Sequence, residues 1–377
     1  MVKEQVINPF FIGKYIGDHY FCDREKDTQA LVKHIINGRN IALISPRRLG
    51  KSGLIHHTFN KPEIKDSYIT IYVDIYSTQN LAEFAKALSE AIIRTIKIEK
   101  SWHEKFLAFM KSLKLGFKID SISGEPAIDI CVGDIEFPEK TVRELFEYLE
   151  ILPRPCVLAI DEFQQIREYP EKGIEAYIRT IVQGCPHTSF IFCGSKRHIM
   201  TDMFFSPSKP FFQSVISQSL HPIPMDVYID FAGRLFAERG KFLDKFAAEV
   251  VYKMFDGCTW YIQMMMNEMF ALTEKGSVCT TEYIDFAWDN IIMSQEDRYQ
   301  SILYHLAPKQ KQILYAIAKD GKAANITSSD FIKRHRLVSA SSVQAAMKPL
   351  LKHDIVTCEE GTFRIYDYFF AAYLAGK

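Results

Sequence analysis

The sequence predicts an α/β fold: a parallel sheet covered by helices on both faces, then a helical region, then a small module of three helices and two strands. Three observations predict it. Short, largely apolar runs, Ile41-Ala42-Leu43-Ile44, Tyr68 to Ile75, Pro155 to Ile160 and Ser189 to Cys193, alternate with helical patterns. Strands that are apolar throughout, with no polar face, belong to parallel sheets buried on both sides. Past residue 222 such strands stop and helical periodicity takes over. From Pro308 onward, three helical stretches lead into two short β-branched runs turned by Glu360-Gly361.

The elements follow in order. Residues 1–23 read as an irregular leader anchored by Phe10, Phe11, Tyr15, Tyr20 and Phe21. Arg24 to Ile36 reads as a helix, with Asp23 as N-cap and Leu31, Ile35 and Ile36 on one face. After the strand at Ile41, a helix runs through Leu54, Ile55 and His57; another spans Leu81 to Ile98. Alternating polarity around Ser123-Gly124-Glu125 suggests a β-hairpin inserted near 112–140. Val142 to Ile151 reads as a helix with Thr141 and Glu144 as a capping box, and Tyr177 to Val182 as part of another. Helices over Val227 to Lys241, Lys245 to Phe255, Tyr261 to Glu274 and Thr281 to Tyr299 are broken at Gly240, Gly257 and Gly276. The final module starts its helices at Lys309, at Thr327 with a box-like Thr-Ser-Ser-Asp, and after an N-cap at Ser339. Three helices and a β-wing predict a winged helix. The expected divisions are 1–222, 223–300 and 301–377.

Composition excludes some classes. The 377 residues carry 46 Lys/Arg and 46 Asp/Glu, so the chain as a whole is not built electrostatically for nucleic acid or anionic lipid. Eight cysteines form no CxxC pair and no zinc spacing, which predicts a reduced, cytoplasmic protein. The N-terminus does not read as a signal peptide, and no run of eighteen apolar residues predicts a membrane helix. Residues 301–377 hold eleven Lys/Arg and six Asp/Glu, a local excess of about +5.

The chemistry is concentrated at the ends of the apolar strands, where ligands of such sheets bind. Ile41 to Ile44 leads into Ser45-Pro46-Arg47-Arg48-Leu49-Gly50-Lys51-Ser52, with Gly53 in the following helix. A strand, a tight loop and Gly-Lys-Ser opening a helix is the order in which backbone N–H groups and a helix N-terminus receive phosphate. Lys51 would reach the β- and γ-phosphates, and the Ser52 hydroxyl would take one Mg²⁺ position. Serine stands at position 45, where this motif has glycine. A metal-ordering carboxylate is expected on a neighbouring strand, and Val157 to Glu162 supplies it: Asp161 would hold Mg²⁺ and Glu162 would polarise the attacking water. Ser195, at the end of the next strand, is the third element, facing the γ-phosphate or the lytic water, the alternative being an ordinary strand-to-loop Gly-Ser turn. Asp74 reads as the cap of the following helix rather than as support for the metal. Lys196 and Arg197 read equally well as facing phosphate or solvent, and Arg179 reads as part of a solvated helix face rather than as an arginine serving a neighbouring subunit.

Several of these stretches resemble the archaeal-type ATPase family in the STAND branch of the AAA+ superfamily. Phe21-Cys22-Asp23-Arg24-Glu25 resembles its leader motif Phe-x-x-Arg-Glu, and Ser45 to Ser52 its Gly-Pro-Arg-Arg-x-Gly-Lys-Ser/Thr loop. Ile160-Asp161-Glu162-Phe163-Gln164 resembles its Walker B strand, and Phe192-Cys193-Gly194-Ser195 its sensor strand. Gly257-Cys258-Thr259-Trp260-Tyr261 is similar to a Gly-x-Pro-x-Tyr lid motif, with Thr259 in place of proline. Arg364 to Phe370 resembles the family's ending after the wing. The resemblance implies a P-loop ATPase core, a helical lid over 223–300 and a C-terminal winged helix, with ATP and Mg²⁺ as cofactors. It places Arg24 beside the adenine and the lid near Gly257 over the nucleotide. It also implies an ATP-dependent switch acting on an unidentified protein partner, with homo-oligomerisation as one route. The alternative is an ATP-dependent DNA-binding protein whose third winged-helix helix offers Ser341, Ser342, Gln344, Lys348 and Lys352.

Overall fold

A computed structural model describes residues 7–13, 15–97, 135–359 and 361–376. The chain divides into two compact units. One is Gly13–Ile223; the other joins Met1–Ile12 to Pro224–Lys377.

The first unit is an α/β sandwich. Its strands are β1 (Ile41–Ile44), β2 (Ile69–Asp74), β3 (Cys156–Asp161), β4 (Thr188–Gly194) and β5 (Ile216–Ser219). They lie in the order β2-β3-β4-β1-β5, every pair parallel. Side chains alternate along each strand, and in the central strands both sets are largely apolar. Leu158, Ile160, Phe190 and Phe192 enter one core with helices α4 (Leu81–Lys97), α5 (Pro138–Glu150) and α6 (Ile174–Gln183). Val157, Ala159, Ile191 and Cys193 enter the other with α1 (Glu25–Ile36) and α2 (Lys51–Phe59); the short α3 (Pro62–Lys65) follows α2. This double burial is why the strands read as continuous apolar runs.

In this unit the structure adds one strand and changes three expectations. β5, Ile-Ser-Gln-Ser, is an addition: it is a short, polar, largely exposed edge strand paired, among the described residues, to β1 alone, so it carries no burial signal. Asp23 does not cap α1; Asp23 and Arg24 take left-handed backbone with φ of 55° and 75°, and no side chain caps the helix. The box at Thr141 and Glu144 is displaced because α5 begins a turn earlier, with Pro138 in its first turn, leaving Thr141 buried inside the helix. Asp74 accepts from the Tyr76 N–H at 2.8 Å, while Asn80 Oδ1 accepts the Glu83 N–H at 2.9 Å ahead of α4. The hairpin expected near 112–140 falls, over 112–134, outside the described residues.

The second unit gathers helices α8 (Met225–Ala237), α9 (Lys245–Met254), α10 (Thr259–Leu272) and α11 (Glu282–Tyr304); α7 (Arg197–Phe205) precedes them in the first unit. Strands do not stop entirely past residue 222: β6 (Phe242–Leu243) and β7 (Val278–Cys279) form a two-residue parallel pair. The leader begins in this unit, because Phe10 is fully buried against Phe236 and Phe270, with Asn267 Nδ2 donating to the Phe10 carbonyl at 2.7 Å. The last module contains α12 (Pro308–Asp320), β8 (Ala323–Ala324), α13 (Ser329–Arg334), α14 (Ala340–Lys352), β9 (Val356–Glu359), β10 (Thr362–Ile365) and α15 (Tyr368–Ala375). β9 and β10 pair antiparallel as the wing, and β8 adds to β10. Ser339 caps α14 as expected, accepting from the Ser342 N–H at 3.2 Å. At α13 the cap is Ser328, one residue after the expected Thr327, accepting from Phe331 N–H at 3.2 Å. Tyr261, from the lid-like motif, is buried beside Tyr368 and Phe369, and its hydroxyl donates to the Tyr366 carbonyl at 3.1 Å.

Candidate nucleotide site

The loop between β1 and α2 is shaped by two left-handed residues, Arg48 at φ 68° and Gly50 at φ 94°. Gly50 immediately precedes α2, where such a backbone favours glycine. Ser45 is not among the left-handed residues, so the motif's missing glycine leaves no strain there. Its side chain is buried and its hydroxyl donates to the Pro46 carbonyl at 3.2 Å. Arg24 is buried behind the loop: its guanidinium donates to the carbonyls of Leu49 at 3.1 Å and His221 at 2.7 Å and pairs with Asp27 at 3.2 Å. These bonds brace the loop from behind. The leader's aromatics pack on α2: Phe21 stacks on His57 at 4.2 Å, and Tyr15 meets both rings edge-on. A Cβ on Gly53 would lie 3.5 Å from the Phe21 ring, ordinary contact distance.

Lys51 is 6% exposed and its ammonium donates to the Ser45 and Pro46 carbonyls at 2.9 and 3.1 Å. Burial pushes its pKa down, and the charges of Asp161 and Glu162 push the other way. The amine is held in the loop by weak neutral acceptors, which a phosphate oxygen would replace with a charged one.

Two carboxylates face this loop. Asp161 ends β3, buried, and its Oδ2 accepts from Ser52 Oγ at 2.7 Å and from the Tyr72 hydroxyl at 2.5 Å; Oδ1 accepts from the Glu162 N–H at 2.9 Å. Burial and the Asp161 charge push the Tyr72 phenol far up, so it stays a donor. Glu162 takes left-handed backbone, φ 55°, which turns the chain off the strand. Its carboxylate accepts from Ser195 Oγ at 2.7 Å and from the Gln164 amide. Arg47 Nε donates to Ser195 Oγ at 3.1 Å and lies 3.9 Å from Glu162, with its guanidinium over the Tyr76 ring at 5.3 Å.

Sheet order explains this convergence. β4 lies between β1 and β3, so Ser195, one residue past β4, stands between the loop and Glu162. Gly194 lets the site close: a Cβ there would lie 2.4 Å from Met200 and 2.5 Å from Gln164 Oε1. Arg197 is exposed at the start of α7, and Arg179 is half-buried on α6. Sequence reasoning missed Tyr72, Gln164 and Tyr76. Tyr72 read as a core residue of an apolar strand; its signal was the alternation that turns it toward the same face as Val157 and Ala159, over which α2 packs.

Asp161 and Ser52 are hard oxygen donors beside a phosphate-type loop. Mg²⁺ keeps several waters and takes one or two protein oxygens with phosphate oxygens, so the pair fits it. Among the described residues no group of three His, Cys, Asp or Glu could hold a metal alone.

Comparison with solved structures now decides the fold. The chain matches a Walker-type ATPase of Pyrococcus abyssi at 18% identity and TM-score 0.63, covering 97% of this chain and 99% of that one. It matches the Aeropyrum pernix ORC2 protein (ADPNP-ADP complexes) at 14% identity and TM-score 0.59, over 98% and 95%. It also matches the Aeropyrum pernix ORC1 protein in complex with DNA at 13% identity and TM-score 0.57, over 98% and 95%. This is a P-loop ATPase fold. A family model described as "Probable winged helix domain" matches residues 297–376, so the P-loop core is followed by a C-terminal winged helix. No curated protein matches the sequence. No described helix is long and apolar enough to cross a membrane.

Proposed function

We propose that the chain binds ATP with Mg²⁺ at the β1–α2 loop and hydrolyses the β–γ phosphoanhydride slowly, as a switch acting on protein partners through residues 223–300 and the winged helix. The observation that carries this is the run of direct hydrogen bonds from Ser52 through Asp161 and Glu162 to Ser195, beside a loop whose own carbonyls hold Lys51. In this reading Ser45 to Gly53 cradle the phosphates and Lys51 neutralises the β/γ-oxygens. Ser52 and Asp161 hold the metal, which would offset the charge that develops on the phosphates. Glu162 accepts the proton of the attacking water, and Ser195 with Arg47 sets the direction of its carboxylate. The Pro-Arg-Arg loop, the leader and the Walker B exit support assignment to the archaeal-type ATPases of the STAND branch. The three divisions 1–222, 223–300 and 301–377, and homo-oligomerisation, belong to the same proposal.

One observation favours a second reading, DNA binding. Ser341, Gln344, Lys348 and Lys352 are all exposed at helical spacing on α14, and Lys333 and Arg336 are exposed nearby. A structural neighbour is described in complex with DNA. Against it, Arg334 and His335 both pair with Asp320, the latter at 3.0 Å, which withdraws half of the basic cluster from phosphate. ATP hydrolysis measured with and without duplex DNA, in the wild type and Glu162→Gln, tests both. The variant should bind ATP while its turnover falls about 10²- to 10⁴-fold. Wild-type turnover in Glu162→Gln would remove the mechanism, and DNA binding insensitive to salt would remove the second reading.

A further inference from the structure

We propose that Tyr72 is a positioning residue for the divalent cation, acting through Asp161; this rests on the nucleotide-site reading above. Asp161 Oδ2 takes two hydroxyl donors, Ser52 at 2.7 Å and Tyr72 at 2.5 Å, and Oδ1 takes the Glu162 N–H at 2.9 Å. The carboxylate is therefore held by three donors on three different segments: α2, β2 and the turn after β3. The Ser52 proton points at Asp161, so the lone pairs of Ser52 Oγ are left to face the loop where a cation bound to phosphate would sit. That orientation lasts only while Asp161 stays put, and Asp161 is the last residue of its strand.

Tyr72 supplies the fixed side. It sits on β2, where neighbouring Ile71, Val73 and Ile75 are buried, and its ring packs into the core shared with α2. His56, four residues after Ser52 and on the same face of α2, lies against that ring at 4.7 Å. The phenol has little freedom to turn, whereas the Ser52 hydroxyl rotates about one bond. When a cation draws on Ser52, the Tyr72 bond is the side-chain donor that keeps Asp161 in place. Donors one step behind a metal ligand typically change metal affinity 10- to 100-fold when removed.

The test is Tyr72→Phe, which keeps the ring and deletes one oxygen. Binding of a fluorescent N-methylanthraniloyl ATP is titrated first in EDTA and then against Mg²⁺, in the wild type, Tyr72→Phe, Asp161→Asn and the double variant. Tyr72→Phe should bind the nucleotide in EDTA within twofold of the wild type, yet need about tenfold more Mg²⁺ for half of the metal-dependent gain. In the Asp161→Asn background the same change should add nothing, because the carboxylate it acts through is gone. An unchanged Mg²⁺ midpoint in Tyr72→Phe, beside a wild type that responds to Mg²⁺, overturns the inference and leaves the site reading intact. Equal losses with and without Mg²⁺ overturn it as well, by showing general damage. A wild type that binds no nucleotide, or binds it indifferently to Mg²⁺, removes the site reading and this inference together.

Discussion

Lys51→Met separates a phosphate ligand from a structural lysine. Methionine keeps most of the stem and deletes the charge. Lys51 is buried and, among the described residues, its ammonium donates to the neutral carbonyls of Ser45 and Pro46, at 2.9 and 3.1 Å, while burial disfavours its charged form. Losing those bonds and the attraction of Asp161 and Glu162 opposes losing the desolvation cost, so stability without ligand should change by no more than about 1 kcal/mol. With ATP the balance is different. A unit charge about 4 Å from a phosphate, at an effective dielectric of about 20, contributes about 4 kcal/mol, or roughly 10³-fold in affinity. Mg-ATP at about 100 times its Kd stabilises the wild type by about 2.7 kcal/mol. That is a rise of roughly 5 to 11 °C for a unit of about 200 residues. At the same ATP concentration the variant should show no measurable rise. The pH dependence has a definite sign. The folded pKa of Lys51 lies below the ordinary value of about 10.4, so between the two the unfolded chain binds more protons and ligand-free stability rises with pH. Lys51→Met should abolish that rise. Thermal unfolding with and without Mg-ATP, repeated across pH 7 to 10.5, reads both effects. A variant that keeps the wild-type ATP shift would refute the role given to Lys51.

Three further outcomes are expected. Arg24→Met leaves the Leu49 and His221 carbonyls and the Asp27 carboxylate without their buried partner. It should cost about 3–5 kcal/mol in urea unfolding; a cost under 1 kcal/mol would show that Arg24 does not brace the loop. Gly194→Ala places a methyl 2.4 Å from Met200 and 2.5 Å from Gln164. Overpacking of about 1–3 kcal/mol should follow, and because Gln164 holds Glu162, ATP turnover should fall more than ATP binding. Asp367→Ala removes the acceptor for the Phe369 and Phe370 N–H groups at 3.0 and 3.2 Å; denaturation of the second unit should shift by about 1 kcal/mol.

Much of the fold was legible because its causes are local. Ile41 to Ile44, Val157 to Ile160 and Phe190 to Cys193 are apolar at every position, and only strands buried on both faces demand that. The phosphate loop and the Asp161-Glu162 strand end were equally legible, since each needs particular residue types at fixed spacing. Signals failed where a choice depended on neighbours. Thr141 and Glu144 have the spacing of a capping box, but Pro138 had already opened the helix. Asp23 has a capping side chain on a backbone that turns left-handed. β5 has almost no apolar content, because an exposed edge strand is held by backbone bonds that any sequence can make.

The sequence by itself determined which groups carry the chemistry: an amine, a hydroxyl and two carboxylates, each at the end of an apolar strand or the start of a helix. Tertiary structure decided how they meet. Placing β4 between β1 and β3 puts Ser195 between the loop and Glu162, and Arg47, whose role no spacing could reveal, closes onto both. It set Arg24 behind Leu49, bonded to that carbonyl, and it brought Tyr72 onto Asp161 from a neighbouring strand. The physical reason is the same in each case. Residue type sets what a side chain can donate, accept or hold as charge, but partners separated by 25 to 148 positions are chosen by strand order and register.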